Sequence, residues 1–266
     1  MKNALTWDEI AKLRSTPIAD AVQQAEERKG DYRKHPVDLG SPENSEPLVE
    51  LSGRGIAGTN HYHRSDNPPY YQSIAGSISG LWLRRGVSER LERVSARIAP
   101  VGLSLWVYDG WRPVEVQNSF YDDWMPAYLR RSRGLEGDAL WDEVGRYWAK
   151  GAEGGRIDPH SPPPHATGGA VDLTLRDRFG APLYMGAIFD DVTEVSNTGR
   201  FEALPKDAGF SEVEACANRR LLFHLMATEG LVNNPTEWWH FSFGDQMWAR
   251  ITGADAALYG PAGRPG

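Results

Sequence analysis

Helix-like and strand-like periods follow one another in this 266-residue chain without the regular strand–helix alternation that builds a parallel sheet. Val87, Leu91, Val94 and Ile98 recur at helical spacing, with Glu89, Arg90, Glu92, Arg93 and Arg97 on the other faces. Leu103–Tyr108 then reads as a strand closed by Asp109-Gly110. Pro113 suits a first helical position, which predicts a helix from there to about Arg131. A further helix is expected over Asp138–Lys150, a strand over Gly169–Leu175, and a long helix over Glu212–Glu229 stopped by Gly230. The aromatic run Trp238–Phe243 is strand-like. Elements mixed in this order predict an α+β fold: one domain with a central, mainly antiparallel sheet flanked by helices.

The ends of the chain read differently from its middle. Thr6 and Glu9 have capping-box spacing, and a second helical run, Ala19–Lys29, stops at Gly30. Residues 31–47 are polar and turn-rich, and Leu48–Leu51 suits a short strand. Residues 1–47 are therefore expected to form a helical extension packed on the domain, with 48–252 the main domain and 253–266 a peripheral, Ala/Gly/Pro-rich tail. Residues 52–72 mix Gly, Asn, His, Tyr and Pro, as does a loop lining a site. Residues 151–164 are rich in Gly and Pro. Neither an internal repeat nor a linker long enough to divide the chain is visible.

Composition removes several classes of function. The one cysteine, Cys216, excludes an intramolecular disulfide and a multi-Cys zinc site. A formal net charge of −7 argues against sequence-independent nucleic-acid binding. The first residues lack the apolar core of a secretory signal, and no window approaches the roughly 20 apolar residues of a spanning helix. A cytoplasmic protein without a membrane partner is the expectation.

Chemistry is concentrated in two segments. His165-Ala166-Thr167-Gly168-Gly169-Ala170-Val171-Asp172 comes first, and Glu237-Trp238-Trp239-His240 begins 65 residues after Asp172. Together they offer two imidazoles and two carboxylates. Three such ligands with a fourth position left open make a catalytic zinc site, and the remaining carboxylate can serve as a base. In a strand beginning near Gly169, Ala170, Asp172 and Thr174 share one face, while Val171, Leu173 and Leu175 suit the core. Gly168 and Gly169 allow the loop to bend His165 back towards Asp172. Glu237 and His240 would share a face at helical spacing but not in a regular strand, which places Glu237 at the strand mouth after Pro235-Thr236.

Five motifs in this order resemble the zinc D-alanyl-D-alanine dipeptidases of the vancomycin-resistance type, within the wider zinc D-Ala-D-Ala peptidases. They are Tyr108-Asp109-Gly110-Trp111-Arg112-Pro113, His165–Leu175, Met185-Gly186 through Phe189-Asp190, Asn218-Arg219-Arg220 and Glu237–His240, and the likeness spans roughly residues 50–250. It implies one zinc ion held by His165, Asp172 and His240. It implies that Glu237 is the general base and then the proton donor to the leaving amine. Arg112 would stabilise the oxyanion, and Asp190 would meet the substrate's ammonium group. The implied substrate is a small peptide, D-Ala-D-Ala above all, which belongs to peptidoglycan and cell-wall chemistry. The sequence departs from the family at Pro163, where serine is usual, and Pro164 adjoins it; proline brings neither an N–H nor a hydroxyl to a substrate carboxylate.

Blander readings compete at several positions. Arg112 can be a structural partner of Asp109. His61 and His63 alternate as metal ligands do, but more often such residues are surface or loop histidines. Trp238 and Trp239 suit core packing around the site, and Cys216 suits a packed helix. Two other functions remain open: a related zinc peptidase of different dipeptide or cell-wall peptide specificity, and a non-catalytic, zinc-bearing binding module. The residues do not decide the oligomeric state.

Overall fold

The two middle strands of the molecule come from the alternating run before Asp109 and the apolar run after Gly169. A computed structural model describes residues 3–147, 150–152 and 156–265. In chain order its elements are α1 (Trp7–Ser15), α2 (Ala19–Lys29), β1 (Leu48–Glu50), β2 (Ala57–Gly58), β3 (Trp82–Arg84), α3 (Arg85–Ile98), β4 (Ser104–Asp109) and α4 (Val114–Ser119). There follow α5 (Met125–Arg133), α6 (Gly137–Tyr147), β5 (Ala170–Arg176), α7 (Phe210–Ala227), β6 (Val232–Asn233), β7 (His240–Ser242) and α8 (Gln246–Thr252). Five strands form one sheet in the order β2-β4-β5-β7-β6. Among the described residues only the β2–β4 pair in it is parallel. β1 and β3 form a separate antiparallel pair. The arrangement is α+β with a mainly antiparallel sheet, as the order of periods predicts.

Burial explains why the helices sit where they do. The predicted stripe of α3, Val87, Leu91, Val94 and Ile98, is wholly buried in one core with Leu105 and Val107 of β4 and Val171, Leu173 and Leu175 of β5. α7 adds Leu221, Leu222, Leu225 and Met226 to that core. Fully burying one such side chain contributes roughly 1.5–3 kcal/mol, so these residues dominate the favourable side of folding. The second face of β5 is covered too: Ala170, Asp172 and Thr174 are buried. A polar side chain there must find partners inside the protein.

α1 opens with the expected capping box, Glu9 N to Thr6 Oγ1 and Thr6 N to Glu9 Oε2. Ile10 of α1 is buried, and Arg14 forks onto both carboxylate oxygens of Glu214 on α7 at 2.8 Å. α2 packs Ala25 against Met247 and Ile251 of α8.

Three expectations are corrected. The helix after Pro113 starts at Val114, because Pro113 itself is extended, and it runs on to Arg133 through a π-helical turn at Phe120–Trp124. Phe120 and Met125, at the two ends of that turn, are both fully buried, Phe120 in the main core and Met125 in a smaller cluster with Leu129, Leu140 and Val144. The strand expected at Trp238–Phe243 shrinks to β7, since residues 237–239 turn instead. The residues after Gly253 are not peripheral. Ala257 and Tyr259 are fully buried, and the Tyr259 hydroxyl reaches Glu46 at 3.1 Å. One aromatic anchor gives no period, so composition alone misreads this segment. Of the helix expected over 138–150, residues 148 and 149 lie outside the described residues. Among the described residues no helix is long and apolar enough to cross a membrane.

Candidate active site

Register across three neighbouring strands brings the chemical groups together. Asp172 of β5 faces His240 of β7 on one side and Asp109 of β4 on the other. The β4–β5 register shifts between Val107 and Asp109, and that irregularity turns Asp109 into the row. His165 comes from a short 3₁₀ turn, Pro164–Thr167, ended by Gly168 in the left-handed conformation at φ +73°. A Cβ on Gly168 would lie 2.5 Å from Leu48 Cδ2, and one on Gly169 would lie 2.7 Å from Phe243 O. Both conformation and space therefore demand glycine here. Glu237 sits just before β7, with its N–H on Asn234 O at 3.0 Å and its carbonyl taking His240 N–H at 3.2 Å. This turn, rather than a regular strand, is what lets Glu237 and His240 face the same way.

His165, Asp172 and His240 are buried, and one ligand atom from each lies within 4.8 Å of the other two. His165 Nε2 is 3.1 Å from His240 Nδ1 and 3.3 Å from Asp172 Oδ2, while His240 Nδ1 is 3.1 Å from Asp172 Oδ1. The outer ring nitrogens assign the tautomers. His165 Nδ1 is 2.8 Å from Gly110 O, which can only accept, so Nδ1 carries the hydrogen. His240 Nε2 is 3.3 Å from Ser242 Oγ, whose own hydrogen goes to Asp245 Oδ2 at 2.6 Å, so Nε2 donates. The inward nitrogens, His165 Nε2 and His240 Nδ1, then present lone pairs to each other and to the Asp172 carboxylate. Asp172 Oδ1 is buried with no donor aligned on it. Lone pairs packed at such distances need a shared cation, and an N,N,O set with both imidazoles oriented from outside suits a divalent metal.

Local charge points the same way. Burial opposes charge on Asp172, but the His165 and His240 rings outweigh it and hold the carboxyl well below its ordinary range. Burial likewise opposes charge on His240, but Asp172, Glu237 and Asp245 together raise its pKa. The pocket attracts positive charge.

Arg112 is buried beside this cluster. Its Nε donates to Asp109 Oδ2 at 2.7 Å, Nη1 to Gln117 Oε1 at 3.0 Å, and Nη2 to Tyr62 OH at 3.0 Å and Asp172 Oδ2 at 3.3 Å. The pairing with Asp109 is real, and it aims the guanidinium at the cluster. Tyr62 in turn donates to Asp190 Oδ2 at 2.8 Å, and Tyr70 donates to the same oxygen at 2.8 Å. Burial, then the nearby Asp172 charge, pushes the Asp190 carboxyl up to about 8, against partial relief from Arg112 and the two tyrosines. Glu237 Oε2 lies 3.5 Å from His240 Nδ1, and its side chain is 31% exposed. It opens on a cavity of about 440 Å³ that Asp190, Trp239, Thr193, Glu26 and Lys29 also line.

The loop over residues 52–72 thus contributes Tyr62 and Tyr70 rather than its histidines. His61 is buried with Nε2 2.8 Å from Pro68 O and its ring edge-on to Phe189, and His63 reaches Ser77. Neither joins the His165, Asp172 and His240 cluster. Trp238 and Trp239 are core residues, and Cys216 packs with its thiol 3.7 Å from Glu202. Sequence reasoning missed Tyr62, Tyr70, Gln117, Ser242 and Asp245. Only Ser242 carried a usable signal, since it lies two residues beyond His240 on one strand face. Pro163 and Pro164 offer carbonyls to Ala166 N–H and Thr167 Oγ–H and stiffen the turn that holds His165.

Residues 82–254 match the peptidase M15 family described as D-ala-D-ala dipeptidase. A D-alanyl-D-alanine dipeptidase of Synechocystis sp. is 32% identical over 220 residues, which is 77% of this chain and 84% of that one. Proteins of the same name from Enterococcus faecium and Escherichia coli K12 are also similar. The first is 29% identical over 60% of this chain and 72% of its own length. The second is 42% identical over 29% of this chain and 36% of its own length.

Proposed function

Because the chain belongs to the D-Ala-D-Ala dipeptidase family of peptidases, we propose that it hydrolyses a D,D-dipeptide, D-Ala-D-Ala above all, with one zinc ion held by His165, Asp172 and His240. The observation that carries this reading is the set of inward lone pairs on His165 Nε2, His240 Nδ1 and Asp172, with Glu237 3.5 Å from His240 at the mouth of a cavity. Zinc bound there would polarise the scissile carbonyl and make a water acidic enough to attack near neutral pH.

The remaining roles belong to the protein. Glu237 reaches both the cluster and the cleft, so its carboxylate takes the proton from the attacking water as the water oxygen bonds to the carbonyl carbon. The same carboxyl then delivers that proton to the amide nitrogen as the carbon–nitrogen bond breaks. Arg112, held by Asp109 and Gln117, turns Nη2 towards the cluster and stabilises the negative charge that grows on the carbonyl oxygen. Asp190 accepts the substrate's ammonium group, and the arriving cation favours loss of the proton that burial retains. Pro163, which offers no donor to a substrate carboxylate, supports a second reading: the same chemistry on a different dipeptide or cell-wall peptide.

The purified chain with added zinc should release D-alanine from D-Ala-D-Ala, stop on chelation and recover with zinc. A folded chain that holds no metal and needs none would overturn the proposal. A panel of dipeptides varying chirality and length separates the two substrate readings. Glu237→Gln should retain metal and lose about 10²–10⁴-fold in kcat.

A further inference from the structure

Helix α2 lies outside residues 82–254, the span matched to the family, yet Glu26 and Lys29 on it line the same cavity as Glu237, Asp190 and Trp239. Lys29 Nζ donates to Asn234 Oδ1 at 2.8 Å and to Thr236 Oγ1 at 3.1 Å. Both acceptors belong to the turn that ends in Glu237. The backbone of that turn is closed by Glu237 N to Asn234 O at 3.0 Å and by Asn234 N to His240 O at 3.0 Å. Asn234 Oδ1 also takes the Thr236 hydroxyl at 3.0 Å, so the ammonium braces two side chains that already hold each other.

The helix bearing Lys29 is itself anchored. Ala25 packs with Met247 and Ile251, and Arg28 donates to Ile251 O at 3.0 Å. A charge-assisted donor delivered from such a base resists rotation of Asn234 and Thr236 better than their mutual neutral bond does. Glu237 needs that support. It is held by a turn and not by a strand, and a misplacement of about 1 Å in a reacting group costs about 100-fold in rate.

We propose that Lys29 is a positioning residue for Glu237, so that the N-terminal helix α2 is a working part of the active site. The proposal rests on the reading of Glu237 as the proton carrier.

Lys29→Met keeps the side-chain stem and removes the ammonium, and Lys29→Arg restores charged donors. Amide hydrogen exchange at Glu237 and Trp238 should quicken about fivefold or more in Lys29→Met. With D-Ala-D-Ala, kcat should fall about 10–100-fold with KM within about twofold, and Lys29→Arg should recover most of the loss. Metal content and melting temperature should stay near the parent values, because Lys29 is only half-buried and packs outside the main core. Should Lys29→Met fail to fold, Lys29→Gln carries the same comparison. Unchanged exchange at Glu237 and Trp238 overturns the proposal whatever the substrate proves to be. An unchanged kcat beside an inactive Glu237→Gln overturns it and leaves Glu237 in place. Full turnover by Glu237→Gln removes both.

Discussion

Replacing Ser242 by Ala tests whether that hydroxyl fixes the tautomer of His240. Ser242 Oγ accepts from His240 Nε2 at 3.3 Å and donates to the buried Asp245 at 2.6 Å. The long contact looks dispensable and the short one looks structural. Removing the hydroxyl nevertheless frees the His240 hydrogen to move to Nδ1, where Asp172 Oδ1 waits 3.1 Å away. The nitrogen facing the metal position then carries a hydrogen in place of a lone pair. Loss of such an outer partner commonly costs 10–100-fold in metal affinity, which is about 1.4–2.8 kcal/mol. Asp245 keeps its bond from Trp248 N at 2.8 Å but loses the hydroxyl that donates to Oδ2. Leaving a buried polar oxygen without its donor costs about 1–3 kcal/mol, and for a chain of this size that lowers Tm by roughly 2–12 °C. Two assays separate the effects: zinc competition against a chromophoric chelator, and thermal melting of the metal-free protein. The expected result is a zinc Kd raised 10–100-fold together with a lower Tm. A lower Tm with an unchanged Kd would show instead that His240 holds its tautomer without Ser242.

Arg112→Lys keeps a charge between Asp109 and Asp172 but cannot span Asp109, Gln117 and Tyr62 at once. It should lower kcat about 10²–10³-fold with little change in KM, and a loss confined to KM would assign Arg112 to substrate binding alone. Asp190→Asn should change how stability responds to pH. The Asp190 carboxyl titrates near 8 when folded and near 4 when unfolded, so the folded chain binds the extra proton between those values. The stability associated with that proton is fully present below about pH 4 and is lost as pH rises towards 8. The Tm difference between Asp190→Asn and the parent, both metal-free, should therefore shift in favour of the variant from pH 5 to pH 8. A constant difference would show that burial does not govern this carboxyl.

Local chemistry makes much of this protein legible in its sequence. The α3 stripe, the Thr6–Glu9 capping box and the alternation of β5 are set within a few residues, and all three form as expected. The His165–Asp172 segment is legible for the same reason: two glycines and a strand period suffice to bring its ends together. His240 and Glu237 are legible as residue types, but their shared direction is not. That direction comes from a turn replacing the first part of an expected strand, and aromatic content gives no warning of it.

The rest was decided by tertiary structure. Asp109, Asp172 and His240 line up because of the hydrogen-bond register between three strands and one register shift, and register between distant segments has no local signature. Tyr62 and Tyr70 find Asp190 across 128 and 120 residues of chain, and Lys29 finds Asn234 across 205. Periodicity and capping act over one or two turns, and burial acts through the whole packed core. Fold class and chemical groups therefore follow from local pattern. The folded core set which lone pairs meet, which carboxyl keeps its proton, and which helix reaches the turn before His240.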